Sequence, residues 1–244
     1  MNSRTSVLAM LFVAVQFLSC SPEELNKTIG TVLNGLGNEE LTSLEIIGGL
    51  KEALTQGISK GSDIVSVVDG YYKNEAIKIL FPPEAQKIEQ KLQELGLGNL
   101  TEQLVEKVNH AAEDAAKGAK PIFKKAITDM TIDDGLGILM GDDMAATSYL
   151  KRTTSDGLYN AFKPVIVRSL NKKKALDSWG KVVNTYNKVP FVKKMNPDLA
   201  DHVTNKALEG LFHMVAKEEK LIRKDPVARA TDLLRKVFAK QDNK

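Results

Sequence analysis

Two short clusters in the sequence hold residue types that do chemistry when brought together. The first is Asn109, His110 and Glu113. A histidine and a glutamate three residues apart share one face of a helix, which is the spacing of a half-site in di-iron bundles. Such a site needs a second motif and two more carboxylates, and here the order of His and Glu is reversed with no second motif. A metal is therefore not expected, and the trio stands as a candidate polar site. The second cluster is Glu219, Arg223, Asp225 and Arg229, with Asp232 beside it. Glu219 with Arg223 and Asp225 with Arg229 are opposite charges at i,i+4, worth about 0.2–0.5 kcal/mol each on an exposed helix. One reading is an ion-pair network that sets the angle between two terminal helices. The other is an anion or partner site beside a helix N-terminus. The first is favoured, because each arginine has a local carboxylate.

The remaining polar residues offer less. His202 and His213 lie eleven residues apart, about 16 Å along one helix, too far to share a metal ion. Asp133-Asp134 and Asp142-Asp143 sit where helices should begin, and capping accounts for them. Calcium would need four or more oxygens on one loop, and the EF-hand spacing is missing. No Gly-x-Ser-x-Gly, phosphate loop or dinucleotide fingerprint occurs. Cys20 is the only cysteine, which removes intramolecular disulfides and multi-thiolate metal sites. No catalytic residue and no cofactor is assigned.

The chain has 244 residues, 43% hydrophobic and 27% charged, with a net charge of +3. That length is ample for a large core. The slight excess of basic residues is interspersed with acids, and Lys172–Lys174 is too short for a nucleic-acid footprint. No nucleic-acid partner is expected.

Helical signals dominate. Thr42-Ser43-Leu44-Glu45 is a capping box, and Leu44, Ile47, Leu50, Leu54 and Ile58 make the apolar face behind it. A short helix is predicted near 76–80, another opened by Pro83 and ended near Gly96, and a long one capped by Asn99 or Thr101 and running to about Lys117. Helices follow after Pro121, after Thr131 and after Gly141. Ser155-Asp156 is read as the start of a separate helix over 158–170, kinked at Pro164. A further helix spans 175–187. Asp198 caps a helix with Val203, Ala207, Leu211 and Met214 inside, and Asp225-Pro226 opens its partner, faced by Val227, Ala230, Leu233, Leu234 and Val237. No strand pattern appears. The expectation is an all-α, single multi-helix domain over 42–240, with roughly nine or ten helices and a C-terminal helical hairpin.

Residues 1–19 have the layout of a secretory signal: Arg4, an apolar run over 7–17, then Ser19. The run is too short to span a bilayer. Its ending, Phe17-Leu18-Ser19-Cys20, resembles the bacterial lipoprotein signal, in which the cysteine is acylated and becomes the new N-terminus. The alternative is an ordinary cleaved signal with Cys20 a bystander. Lipidation makes 20–41 a tether and supplies membrane attachment, at about 0.8 kcal/mol per buried CH₂. Ser21 after the cysteine, by analogy with such proteins, points to the outer membrane, and Ser21-Pro22-Glu23-Glu24 is similar to a surface-export tether. The domain would then face the periplasm or be exported to the cell surface.

Several stretches carry a second resemblance: 47–54 (IGGLKEAL), 95–104 (LGLGNLTEQL), 109–123 (NHAAEDAAKGAKPIF), 130–141 (MTIDDGLGILMG), 145–149 (AATSY) and above all 203–238. Together they resemble the bacterial envelope family catalogued as domain of unknown function 4197. His110 departs from it, standing where the family pattern leads one to expect arginine. The resemblance implies a secreted or lipid-anchored helical domain and brings no reaction or ligand. The functional expectation is a non-enzymatic binding or scaffold module for another envelope component. Its rivals are a carrier of an apolar ligand held between helices, suggested by the alanine-rich 111–116, and an envelope hydrolase.

Overall fold

The structure, a computed structural model, describes residues 42–82, 85, 98–172, 174–188, 190–191, 194 and 198–239. The expectations for 1–41, Cys20 included, and for a helix opened by Pro83 lie outside the described residues. Within them the protein is all-helical. Eight α-helices and one 3-10 turn are described: α1 Ser43–Ser66, α2 Gly98–Ala116, α3 Ala119–Thr128, α4 Ile132–Met140, α5 Ala145–Lys172, α6 Ala175–Tyr186, α7 Leu199–Lys224, the turn Pro226–Ala228, and α8 Asp232–Ala239.

Helices α1, α5 and α7 form the centre, with α7 packed against both α1 and α5. The sequence explains how closely α1 and α7 approach. Gly49, Ala53, Gly57 and Gly61 recur every four residues and are all buried on α1. A ridge at that spacing is flat, so a neighbouring backbone can lie on it. A Cβ at Gly61 would stand 3.3 Å from the α7 backbone at Met214 and Val215. At Gly49 a Cβ would stand 2.7 Å from Val237 of α8. The alanines of α2 (Ala111, Ala112, Ala115, Ala116) are buried in the same manner.

Local signals set most helix starts. Thr42 and Glu45 make the reciprocal capping box at α1, and Thr131 with Asp134 repeats it at α4. Five expectations need correction, the first being an inward-facing Leu44, which is 74% exposed. Residues 76–80 are not helical: a turn leads into an extended stretch with Ile77, Ile79 and Phe81 buried and Leu80 exposed. Helix α2 begins at Gly98, ahead of both expected caps. Ser155-Asp156 starts nothing, since the Ser155 hydroxyl donates back to the Lys151 carbonyl at 2.6 Å and α5 runs unbroken through it and through Pro164. Finally, Asp225 caps only the 3-10 turn, whose Val227 is 90% exposed, and the last helix begins at Asp232. That helix lies on α1, with Leu233 and Val237 over Gly48 and Gly49.

Candidate functional site

The trio on α2 turns inward, onto the connector between α1 and α2. Asn109 is fully buried. Its Oδ1 accepts from the Ile79 N–H at 2.8 Å, and its Nδ2 donates to the Ile79 carbonyl at 2.9 Å and to the Val105 carbonyl at 2.7 Å. One amide side chain thus pairs with an extended residue as a neighbouring strand would. One turn on, Glu113 Oε1 accepts from the N–H groups of Tyr71 at 3.0 Å and Tyr72 at 3.2 Å. The Tyr71 hydroxyl, also fully buried, donates to the Ala207 carbonyl of α7 at 2.6 Å. Burial pushes that hydroxyl far above the usual tyrosine range, with the Glu113 charge adding to it.

His110 sits at the rim of this arrangement. Its Nε2 lies 3.4 Å from Asp69 Oδ1 and 3.8 Å from Glu113 Oε2, with the side chain 27% exposed. Asp69 adopts φ 68, a left-handed backbone uncommon outside glycine, at the turn that leaves α1. Its carboxyl is held below the usual range, chiefly by Lys73 and also by His110. Backbone groups of Tyr71, Tyr72, Ile79 and Val105 are what the buried Asn109 and Glu113 side chains hold.

The cluster at the end of α7 joins helix termini. Glu219 and Arg223 are buried and ion-paired at 2.9 Å. The Glu219 carboxylate accepts from the N–H of Ala146 at 2.9 Å, from the N–H of Thr147 at 2.8 Å and from the Thr147 hydroxyl at 2.8 Å. A carboxylate there satisfies the orphan donors of α5 and meets the positive end of its dipole. Arg223 donates onward to the Ile138 carbonyl of α4 at 2.8 Å. Arg229, only 1% exposed, donates to the carbonyls of Ile222 at 3.0 Å and Arg223 at 2.9 Å, which caps the C-terminal end of α7. Both guanidinium groups lie over the Phe238 ring. Asp225 accepts from the Val227 N–H at 2.9 Å.

The acidic pairs behave locally. Asp134 is held below the usual carboxylate range by the Thr131 hydroxyl and N–H. Asp142 accepts from the Met144 N–H at 2.9 Å, and Asp143 pairs with Lys224 at 2.6 Å. Among the described residues no group of three His, Cys, Asp or Glu converges as a metal set would, and no helix is long and apolar enough to cross a membrane.

A third polar network carried no expectation. The Tyr159 hydroxyl donates to Asp201, and Lys163 Nζ donates to the Tyr159 oxygen and to Asp198, each at 2.9 Å. It ties α5 to the first turn of α7, where Asp198 is the cap. These partners raise the Lys163 ammonium above its usual range, Tyr159 first. The i,i+4 pair Tyr159 and Lys163 was visible in the sequence; its partners on α7 were not.

Two cavities bear on ligand binding. One of about 20 Å³ lies between α1 and α7, lined by Leu54, Gly57, Ile58, Val215 and Phe238, with Glu219 and Arg223 at its edge. That is room for about one water, whereas an engineered cavity that takes benzene measures roughly 150 Å³. The other is an open groove of about 390 Å³ beside α7 that reaches both His202 and His213.

No curated protein and no solved structure matches the chain. The family described as "Protein of unknown function (DUF4197)" matches residues 40–239, which takes in every helix above, and the chain belongs to it.

Proposed function

We propose that this protein is a lipid-anchored module of the bacterial envelope, held at the outer membrane through Cys20, whose folded domain binds or scaffolds another envelope component. The observation that carries the reading is the use made of the buried polar groups. Asn109, Glu113, Glu219, Arg223 and Arg229 all bond the protein's own backbone. A hydrolase would need such groups aimed at one cleft. A carrier of an acyl chain would need an enclosed apolar space well above the roughly 20 Å³ between α1 and α7. Residues 1–20 support the anchor by their resemblance to a lipoprotein signal, and Ser21 supports the outer-membrane address.

The test is intact mass and detergent partitioning of the protein from its native envelope, wild type against Cys20→Ala, followed by crosslinking in cells. Acyl mass and membrane attachment that vanish in the variant, with a discrete envelope crosslink, are expected. An unmodified cysteine on a mature chain contradicts the anchor, and a co-purified lipid in place of a protein crosslink favours the carrier.

A further inference from the structure

We propose that the end of the bundle carrying α6 docks on an anionic phospholipid surface, through a set of unpaired cations and one projecting aromatic ring. This goes beyond the module reading and does not depend on an acyl chain at Cys20. The charge distribution comes first. Residues 168–197 hold eight basic residues and one acid, so a segment of net +7 sits in a chain of net +3. The rest of the chain is net −4, so the basic excess is local to this segment. A field of one sign gathered on one surface draws an oppositely charged partner. The run Lys172–Lys174 is short by itself; the fold brings further cations to it.

Helices α5 and α7 lie antiparallel: Ala146 at the start of α5 meets Glu219 late in α7, and Lys163 late in α5 meets Asp198, the cap of α7. Past Lys163, α5 runs on to Lys172, and the chain turns at Lys174, φ 51, into α6. Ala175, Trp179 and Val183 face inward at i, i+4 and i+8, with Trp179 stacked on Phe81. The twelve residues of α6 measure about 18 Å, which sets the spacing between its two basic flanks. Arg168, Lys172 and Lys174 are exposed on one flank, Lys188 and Lys194 on the other. Arg168, Lys172, Lys188 and Lys194 have no ion-pair partner among the described residues. The acids at the border are taken, since Lys163 holds Asp198 and the Tyr159 hydroxyl donates to Asp201. Asp177, exposed at the start of α6, is the one acid of the segment.

An independent observation decides between kinds of anion. Phe191 is 108% exposed, and its backbone has φ 65, a left-handed conformation that a bulky residue rarely adopts. In sequence it stands inside 188–194 (KVPFVKK), apolar residues bracketed by lysines. In water such a ring gains nothing. At a bilayer the ring enters the boundary of the acyl chains while the ammonium groups stay among the phosphates. A single projecting ring is no platform for stacking successive bases, and an acidic protein surface offers it no apolar layer to enter.

The full chain carrying Cys20→Ala, which lacks the only thiol, would be sedimented with vesicles of phosphatidylcholine alone and of phosphatidylcholine with phosphatidylglycerol at about three to one. Binding at least about tenfold tighter to the anionic vesicles is expected, and about 1 M salt should abolish the difference. Lys188→Glu combined with Lys194→Glu should weaken it by about twentyfold or more, at about fivefold for each lysine near such a surface. Phe191→Ser should weaken binding severalfold and leave its salt dependence unchanged. Lys217→Glu combined with Lys220→Glu, exposed positions late in α7, should change it by less than about twofold. All three variants should keep the helical spectrum. Equal binding to the two vesicle types, indifference to the 188 and 194 pair or to Phe191→Ser, or an equal loss from the 217 and 220 pair overturns the proposal. So does tighter binding to a single-stranded oligonucleotide or to polyglutamate than to the anionic vesicles. Vesicle binding without an envelope crosslink leaves the proposal standing while the module reading falls, and a crosslink without vesicle binding does the reverse.

Discussion

The α2 clamp and the α7 corner bury the same kind of group and neutralise it differently. Glu113 answers two backbone amides and, among the described residues, has the rim-placed His110 as its nearby cation-former. Glu219 answers two backbone amides and a hydroxyl, and is also locked to Arg223 with both side chains 6% exposed. A buried ion whose counter-ion is removed is an uncompensated charge, whereas a buried acid held by amides still has its donors when neutralised. The two regions should therefore fail to different degrees although they look alike on a contact list.

The largest effect belongs to the corner. Arg223→Met should cost about 3–5 kcal/mol in urea unfolding, because it leaves Glu219 charged and buried. Glu113→Gln keeps an acceptor for Tyr71 and Tyr72 and should cost about 1–3 kcal/mol. Native-state exchange would then show faster opening at those two amides; an effect equal to that of Arg223→Met would erase the distinction.

Tyr71→Phe, which removes the bond to Ala207, should cost about 0.5–1.5 kcal/mol near neutral pH. Its pH dependence sharpens the case. The folded hydroxyl ionises far above the ordinary tyrosine value near 10, so its contribution is intact below pH 10. Above that the unfolded chain loses its proton first, and stability falls by about 1.4 kcal/mol per pH unit per such group. Urea unfolding between pH 9 and 11 should fall less steeply for Tyr71→Phe than for wild type. The smallest effect is expected for His110→Arg, which installs the permanent cation beside Asp69 and Glu113. At a position 27% exposed the change should stay within about 1 kcal/mol.

Legibility followed the length of sequence that each feature needs. The capping box at Thr42 is a four-residue signal and forms as expected, and the cap expected at Thr131–Asp134 closes as a second reciprocal box. The Glu219 and Arg223 pairing was visible because both sit one turn apart on one helix. What Glu219 holds was not, since Ala146 and Thr147 are more than seventy residues away and present only backbone. Asn109 and Glu113 hid for the same reason: an amide N–H has no sequence signature. That hidden clamp also misled the reading of 76–80, whose apolar residues fit a helix and a strand equally until Asn109 takes the Ile79 backbone. Ser155 and Asp225 carried true capping chemistry, but one hydroxyl turned back on its own helix and the other cap served a single turn. The small-residue ridge of α1 recurs at every fourth residue and is itself a local signal, while the helix that lies on it is not.

The most direct measurement is a pair of double-mutant cycles by urea unfolding, one on Glu219 and Arg223, the other on Glu113 and His110. The account expects a coupling of about 1–3 kcal/mol in the first cycle and below about 0.5 kcal/mol in the second. Equal couplings, or a larger one at Glu113 and His110, would contradict it.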